Sequence, residues 1–185
     1  MSRLAELTPK TMTPAQRRVW DDVVGGQRTA AFGLHNAWLR SPELAEQLIG
    51  NGLVFRERLA LPARFRELAI LIMVRRSNCA YAWKRHESLA LDAGVEGGVL
   101  ASLAAGEQPT FADPGDKIVY DVCDQLDRSR TLDDELYRRA VGHLGEQALT
   151  ELIAVAGYYV MVAMTLNAFA VPLAEGDAHP FSDPV

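Results

Sequence analysis

Apolar residues recur at helical spacing along most of the chain, and no segment shows the strict alternation typical of a β-strand. Capping residues, prolines and glycines mark where the predicted helices begin and end. The glycines at positions 50 and 52 are expected to weaken or break the second helix. Helices are predicted at about residues 13–24, from 41, from 62, 78–94, 95–105, 115–128, 131–144 and 146–170. The predicted fold class is therefore all-α.

The helix that begins at Pro62 is apolar on almost every side, because every residue from Leu68 to Val74 is apolar. Such a helix is expected at the centre of a fold. Glu67 directly precedes that run. It is either an exposed first-turn residue that suits the helix dipole, or a buried carboxylate with a specific role.

A second helix follows after Ser77-Asn78 and carries a thiol and an imidazole. Asn78 is predicted to cap it, which puts Cys79 at the helix N-terminus, where the dipole favours a thiolate. Seven residues turn a helix through about 700° and raise it by about 10 Å. His86 therefore returns to the face of Cys79 without necessarily touching it, and Glu67 on the antiparallel helix before it is expected to approach His86.

Thiol chemistry requires a nucleophilic sulfur, a base that takes its proton and a group that orients the base. Cys79, His86 and Glu67 supply these three parts and are the candidate catalytic residues. Each residue also has a purely structural explanation, as a core cysteine, a satisfied histidine or a first-turn carboxylate. The sequence alone leaves both interpretations open.

Composition narrows the function classes. The chain has 185 residues, 49% of them hydrophobic, and a net charge of -5. Without a basic stripe to offset the acidic balance, nucleic-acid binding is not expected. Two cysteines are too few for a disulfide framework, and the first twenty residues lack the apolar core of a signal peptide. A cytoplasmic location is expected.

The stretch from Leu152 to Ala174 contains no charged residue and approaches the length of a bilayer span. It also carries polar residues and Pro172, and acidic rather than basic residues flank it. We expect a helix buried in a core or subunit interface, and no membrane insertion.

Three segments carry a resemblance to a known family. They read NAWLRSPELAEQL, NCAYAWKRHESLALDAGV (preceded by REL and the apolar run) and LTELIAVAGYYVMVAMTLNAFAVPL. Together they resemble the carboxymuconolactone decarboxylase superfamily, which includes the alkylhydroperoxidase D-like proteins, over about residues 30–173. The remaining residues are then an N-terminal arm and helix, 1–29, and an irregular tail, 174–185.

The resemblance assigns roles to three residues. Glu67, Cys79 and His86 match the proton-relay glutamate, the peroxidatic-type cysteine and the histidine of the peroxidase branch. Ala82 stands where that branch has the second cysteine of Cys-x-x-Cys, so Cys79 has no neighbouring thiol with which to form a disulfide. Cys123, on another helix among apolar residues, is expected to be a core residue.

The resemblance further implies a homo-oligomer (dimer, trimer or hexamer) with active sites near subunit contacts, acting on a small molecule. Four residues are weaker candidates for lining a substrate pocket: Tyr81, Trp83, Tyr158 and Asn167. No bound cofactor is expected, and no histidine or carboxylate cluster has metal-ligand spacing.

Three functions compete at this point. The first is a peroxidase-like reaction at Cys79, with Glu67 and His86 moving protons and an external thiol as reductant. The second is cofactor-free acid–base catalysis by His86 on a small carboxylate or lactone. The third is a helical oligomer that binds a small ligand without catalysis.

Overall fold

The computed structural model describes residues 2–24 and 33–182. It is 68% helical and contains no strand among the described residues, which confirms the all-α class. Eight α-helices are present, and a π-helical turn, Trp20–Val24, follows the first. They are α1 Pro14–Val19, α2 Leu34–Trp38, α3 Pro42–Glu57, α4 Ala63–Arg76, α5 Ala80–Asp92, α6 Gly97–Ala104, α7 Pro114–Ser129 and α8 Asp134–Ala168.

The chain divides into two compact units. The first comprises Met1–Arg58 and Thr165–Pro172, and the second comprises Leu59–Met164 and Leu173–Val185. The sequence-based boundaries at residues 29/30 and 173/174 remain a prediction.

Capping chemistry in the first unit follows the predicted pattern. Thr13 accepts a hydrogen bond from the Gln16 backbone N–H, and the Gln16 side chain accepts one from the Thr13 N–H, a capping box. The predicted stop at Gly25-Gly26 lies outside the described residues. Helix α3 runs unbroken through Gly50 and Gly52, so the predicted break is wrong. Packing of its buried Ala45 and Ile49 outweighs the low helix propensity of glycine.

In the second unit α4 is the central element, as predicted. All residues from Glu67 to Val74 are buried, and α4 packs against α5, α6 and α7. The start of α7 at Asp113-Pro114 was also predicted. The Asp113 carboxylate accepts hydrogen bonds from the Gly115 and Asp116 amides.

Two predicted helix starts are wrong by a residue or two. Cys79, not Asn78, is the N-cap residue of α5, because Asn78 adopts a left-handed backbone (φ 49°) that ends α4. The N-cap of the next helix is formed by Asp133, whose carboxylate accepts from the Leu136 N–H at 2.8 Å, instead of Thr131. Within α8, Gly145 departs from helical geometry (φ 79°), which matches the predicted division near residue 145.

Candidate functional site

Glu67 and His86 form a buried polar pair in the second unit. Oε2 of Glu67 lies 2.8 Å from Nδ1 of His86, and the two side chains are 4% and 13% exposed. Glu67 lies in the second turn of α4 and His86 in the second turn of α5. The tight junction at Asn78 makes these helices antiparallel neighbours, so the predicted approach across the turn is confirmed. The alternative of an exposed Glu67 is wrong.

The Glu67 carboxylate is held in its ionised form. Burial acts to raise its pKa, but the hydrogen bond and charge of His86, followed by Arg66, outweigh burial and lower the pKa. Arg66 reaches the other carboxylate oxygen, Oε1, at 3.1 Å. An ionised carboxylate can only accept, so Nδ1 of His86 is the protonated nitrogen and Nε2 is left as the acceptor.

Aromatic packing fixes the plane of the imidazole. The ring of Tyr159 meets that of His86 edge to face, with centroids 5.0 Å apart at 87°. Tyr158 packs against Tyr159 in the same manner at 5.4 Å. With one nitrogen held by Glu67 and one edge held by Tyr159, His86 has a single supported orientation.

Cys79 lies at the junction of α4 and α5, and its side chain is buried, with the residue 1% exposed. Burial raises the pKa of its thiol, while the backbone amides of Ala82 and Tyr81 offset part of that effect. The predicted preference for a thiolate is therefore wrong for the structure as it stands. Desolvation of the buried thiol outweighs the favourable N-terminal position.

The predicted residues come together only in part. Glu67 and His86 are in direct contact, whereas no hydrogen bond joins the Cys79 sulfur to either of them within the described residues. Trp83 is completely buried on α5 and packs against Phe181. Of the pocket candidates, Tyr81 and Tyr158 are half-buried in the second unit. Asn167 is exposed and belongs to the first unit.

Cys123 is confirmed as a core residue. It is fully buried on α7, and burial raises the pKa of its thiol to about 12. Such a thiol is inert at neutral pH, which leaves Cys79 as the cysteine with a plausible chemical role.

Two residues of this region were missed by sequence reasoning. Arg66 resembles an ordinary solvated charge in the sequence, and only its position next to Glu67 hinted at a partnership. Phe181 belongs to a tail that is irregular, as predicted, and yet it is 4% exposed. Its signal was that it is the only aromatic residue in the otherwise polar segment after Pro172.

No group of three or more His, Cys, Asp or Glu side chains in the described part of the chain is arranged to hold a metal ion. The sequence matches no protein-family model and no curated protein. Helix α8 is long and apolar enough to cross a membrane, and 44% of its most apolar window is buried. Core helices of soluble proteins share these properties.

Proposed function

We propose that this protein is an enzyme of the carboxymuconolactone decarboxylase type whose Glu67–His86 pair transfers protons on a small carboxylated substrate or lactone, without a bound cofactor. The observation that supports this best is the 2.8 Å contact between a buried, ionised Glu67 and Nδ1 of His86. That arrangement presents Nε2 as a general base and stabilises the imidazolium that forms when it accepts a proton.

The pair acts in two directions. As a base, Nε2 of His86 accepts a proton from a substrate carbon next to a carbonyl, and the same nitrogen later returns a proton. In a decarboxylation, the bond between the carboxylate carbon and its neighbour breaks and CO₂ leaves. The electron pair moves into the conjugated substrate, and His86 supplies the proton that ends on carbon. Glu67 keeps its own charge throughout, because Arg66 and His86 both favour its ionised form.

A second candidate is a peroxidase-like reaction at Cys79, favoured by the Tyr81 and Ala82 amides that lower its thiol pKa against the effect of burial. The thiolate attacks one oxygen of a hydroperoxide, the O–O bond breaks, and the alcohol leaves with a proton supplied through His86. Two equivalents of an external thiol then reduce the sulfenic acid and yield a disulfide and water. Ala82 offers no internal thiol for this step.

One set of variants separates these reactions. The first predicts turnover of unsaturated lactone carboxylates, followed as CO₂ release or loss of substrate absorbance, that survives in Cys79→Ser and falls at least about a hundredfold in His86→Ala. The second predicts one oxygen added to Cys79 by a stoichiometric hydroperoxide, seen by peptide mass spectrometry. No turnover and an unmodified Cys79 would leave the non-catalytic ligand-binding oligomer as the better description.

We also propose a soluble, cytoplasmic homo-oligomer assembled through α8. Ile153 and Met164 are 39% and 65% exposed, and Ala154 and Gly157 between them are exposed as well. These positions recur at helical spacing and form an apolar stripe. Light scattering after size exclusion is expected to report an oligomer that Met164→Asp dissociates. A monomeric wild-type protein would contradict this assembly.

A further inference from the structure

Phe181 anchors the C-terminal segment to the second unit. Its ring meets Trp83 edge to face, with centroids 5.4 Å apart at 81°, and the Arg75 guanidinium lies 4.6 Å from the ring centroid. The Phe181 N–H donates to Nδ1 of His179 at 3.3 Å. Residues 174–179 are exposed, so Phe181, 4% exposed, is the buried contact of an otherwise solvated stretch.

The anchor lies on both sides of Cys79 in the chain. Arg75 is four residues before the cysteine, in the last turn of α4, and Trp83 is four residues after it, in the first turn of α5. One aromatic ring therefore bridges the two helices whose junction carries the thiol. Trp83 is completely buried, and its indole N–H has no acceptor among the described residues.

We propose that Phe181 determines which molecules reach Cys79. With Phe181 docked, the C-terminal segment closes the α4–α5 junction to bulky reactants, and its release opens the junction. This deepens the proposed function by assigning size selectivity to the thiol. The labelling measured below requires no turnover, so its outcome is independent of whether Glu67 and His86 catalyse any reaction.

Weak attachment makes the segment suited to reversible opening. One aromatic edge contact and one cation–π contact hold Phe181, whereas the helices beneath are held by the whole core of the unit. A segment with few buried contacts opens locally, far more often than the core unfolds. Access to Cys79 then depends on the population of the released state.

Two thiol reagents of different size test this on the full-length protein. Small methyl methanethiosulfonate and bulky, aromatic dithiobis(nitrobenzoate) are applied to wild type, Phe181→Ala and Phe181→Leu, and the modified cysteine is identified by peptide mass spectrometry. We expect Phe181→Ala to accelerate the bulky reagent at Cys79 about tenfold and the small reagent about twofold or less. Phe181→Leu, which keeps an apolar anchor, should stay within about threefold of wild type.

Cys123 is the internal control, because it is fully buried on α7 and becomes reactive only if the unit opens. Unchanged rates in Phe181→Ala, equal acceleration of both reagents, or a parallel rise in Cys123 labelling would each overturn the proposal. Hydrogen exchange of the wild-type protein gives a test without a substitution. Amides of residues 173–182 should exchange well before those of α4, and equal protection would also overturn it.

Discussion

Nδ1 of His86 lies 2.8 Å from Oε2 of Glu67, and the two side chains are 13% and 4% exposed. The two groups behave as one electrostatic unit. Removal of either partner leaves the other with an unsatisfied polar atom in a site that water barely reaches. This coupling has consequences for stability and for its pH dependence.

His86→Ala is expected to lower the free energy of unfolding by about 1–3 kcal/mol, because Glu67 loses its principal hydrogen bond inside the core. Glu67→Gln should cost a similar amount. The double variant should cost at least about 1 kcal/mol less than the sum of the two. Urea unfolding of the four proteins measures this coupling.

Glu87→Gln is the matched control, because Glu87 neighbours His86 on α5 and pairs with Lys84 across 3.8 Å at a half-exposed position. Its cost should stay below about 0.5 kcal/mol. Additive effects of the Glu67 and His86 substitutions would show that the pair is not coupled.

The pH dependence of stability should carry the signature of Glu67. Its pKa in the folded protein lies below the ordinary 4.5, so the unfolded chain binds the proton more tightly. The stabilisation is therefore complete above about pH 4.5 and is lost as the pH falls through the lower, folded pKa. Asp113 and Asp133 also have lowered pKa values and add to the acid sensitivity of the wild type.

The difference between wild type and Glu67→Gln isolates this contribution, because the other carboxylates cancel. Urea unfolding between about pH 3 and pH 7 should show that difference shrink on the acid side. A difference that is constant with pH would mean that Glu67 titrates alike in both states.

The Arg64–Asp116 ion pair should respond asymmetrically to substitution. The two side chains are joined at 2.5 Å, with Arg64 29% exposed and Asp116 2% exposed. Burial raises the pKa of Asp116 in spite of Arg64. Arg64→Met strands a buried carboxylate and should cost about 3–5 kcal/mol. Asp116→Leu leaves a cation that still has Asp113 at 3.9 Å and partial access to water, so it should cost less.

Unfolding measured at two pH values completes that comparison. Protonation removes the stranded charge of Asp116, so Arg64→Met should recover part of its loss in mild acid. A larger cost for Asp116→Leu than for Arg64→Met would contradict the asymmetry.

Two glycines predict opposite effects of the same substitution. A Cβ on Gly115 would lie 2.5 Å from Cζ of Phe65 and 2.7 Å from Nε2 of His143, so Gly115→Ala should destabilise by about 1–3 kcal/mol. A Cβ on Gly142 would meet no atom within 4 Å, and this residue is helical and exposed. Gly142→Ala should therefore stabilise by about 0.5–1 kcal/mol. Thermal or urea unfolding of both variants measures the contrast.

Local signals in the sequence predicted the fold class and most helix boundaries. The capping pattern at Thr13-Pro14 and Asp113-Pro114 involves neighbours only, so reading it required no tertiary knowledge. Gly50 and Gly52 show the limit of such reasoning. Their intrinsic penalty was visible, whereas the packing of α3 that outweighs it depends on residues distant in sequence.

The candidate site shows the same division. The helical spacing and the antiparallel turn were sufficient to predict that Glu67 meets His86. The protonation tendency of Cys79 was not predictable, because a position at a helix N-terminus favours the thiolate while burial opposes it. Only coordinates reveal how deeply the sulfur is buried. Phe181 was inaccessible for a related reason, since an irregular segment has no periodicity from which a buried face can be identified.

The junction between α4 and α5 turns at Asn78, with its left-handed backbone. Its brevity means that the separation of Glu67 and His86 is inherited from two packed helices and not from the shape of a loop. Sequence drift in the exposed connections of this unit would leave that distance unchanged, while loss of α4–α5 packing would abolish it. The pair is thus as durable as the core, and its evolution is tied to that of the hydrophobic residues around it.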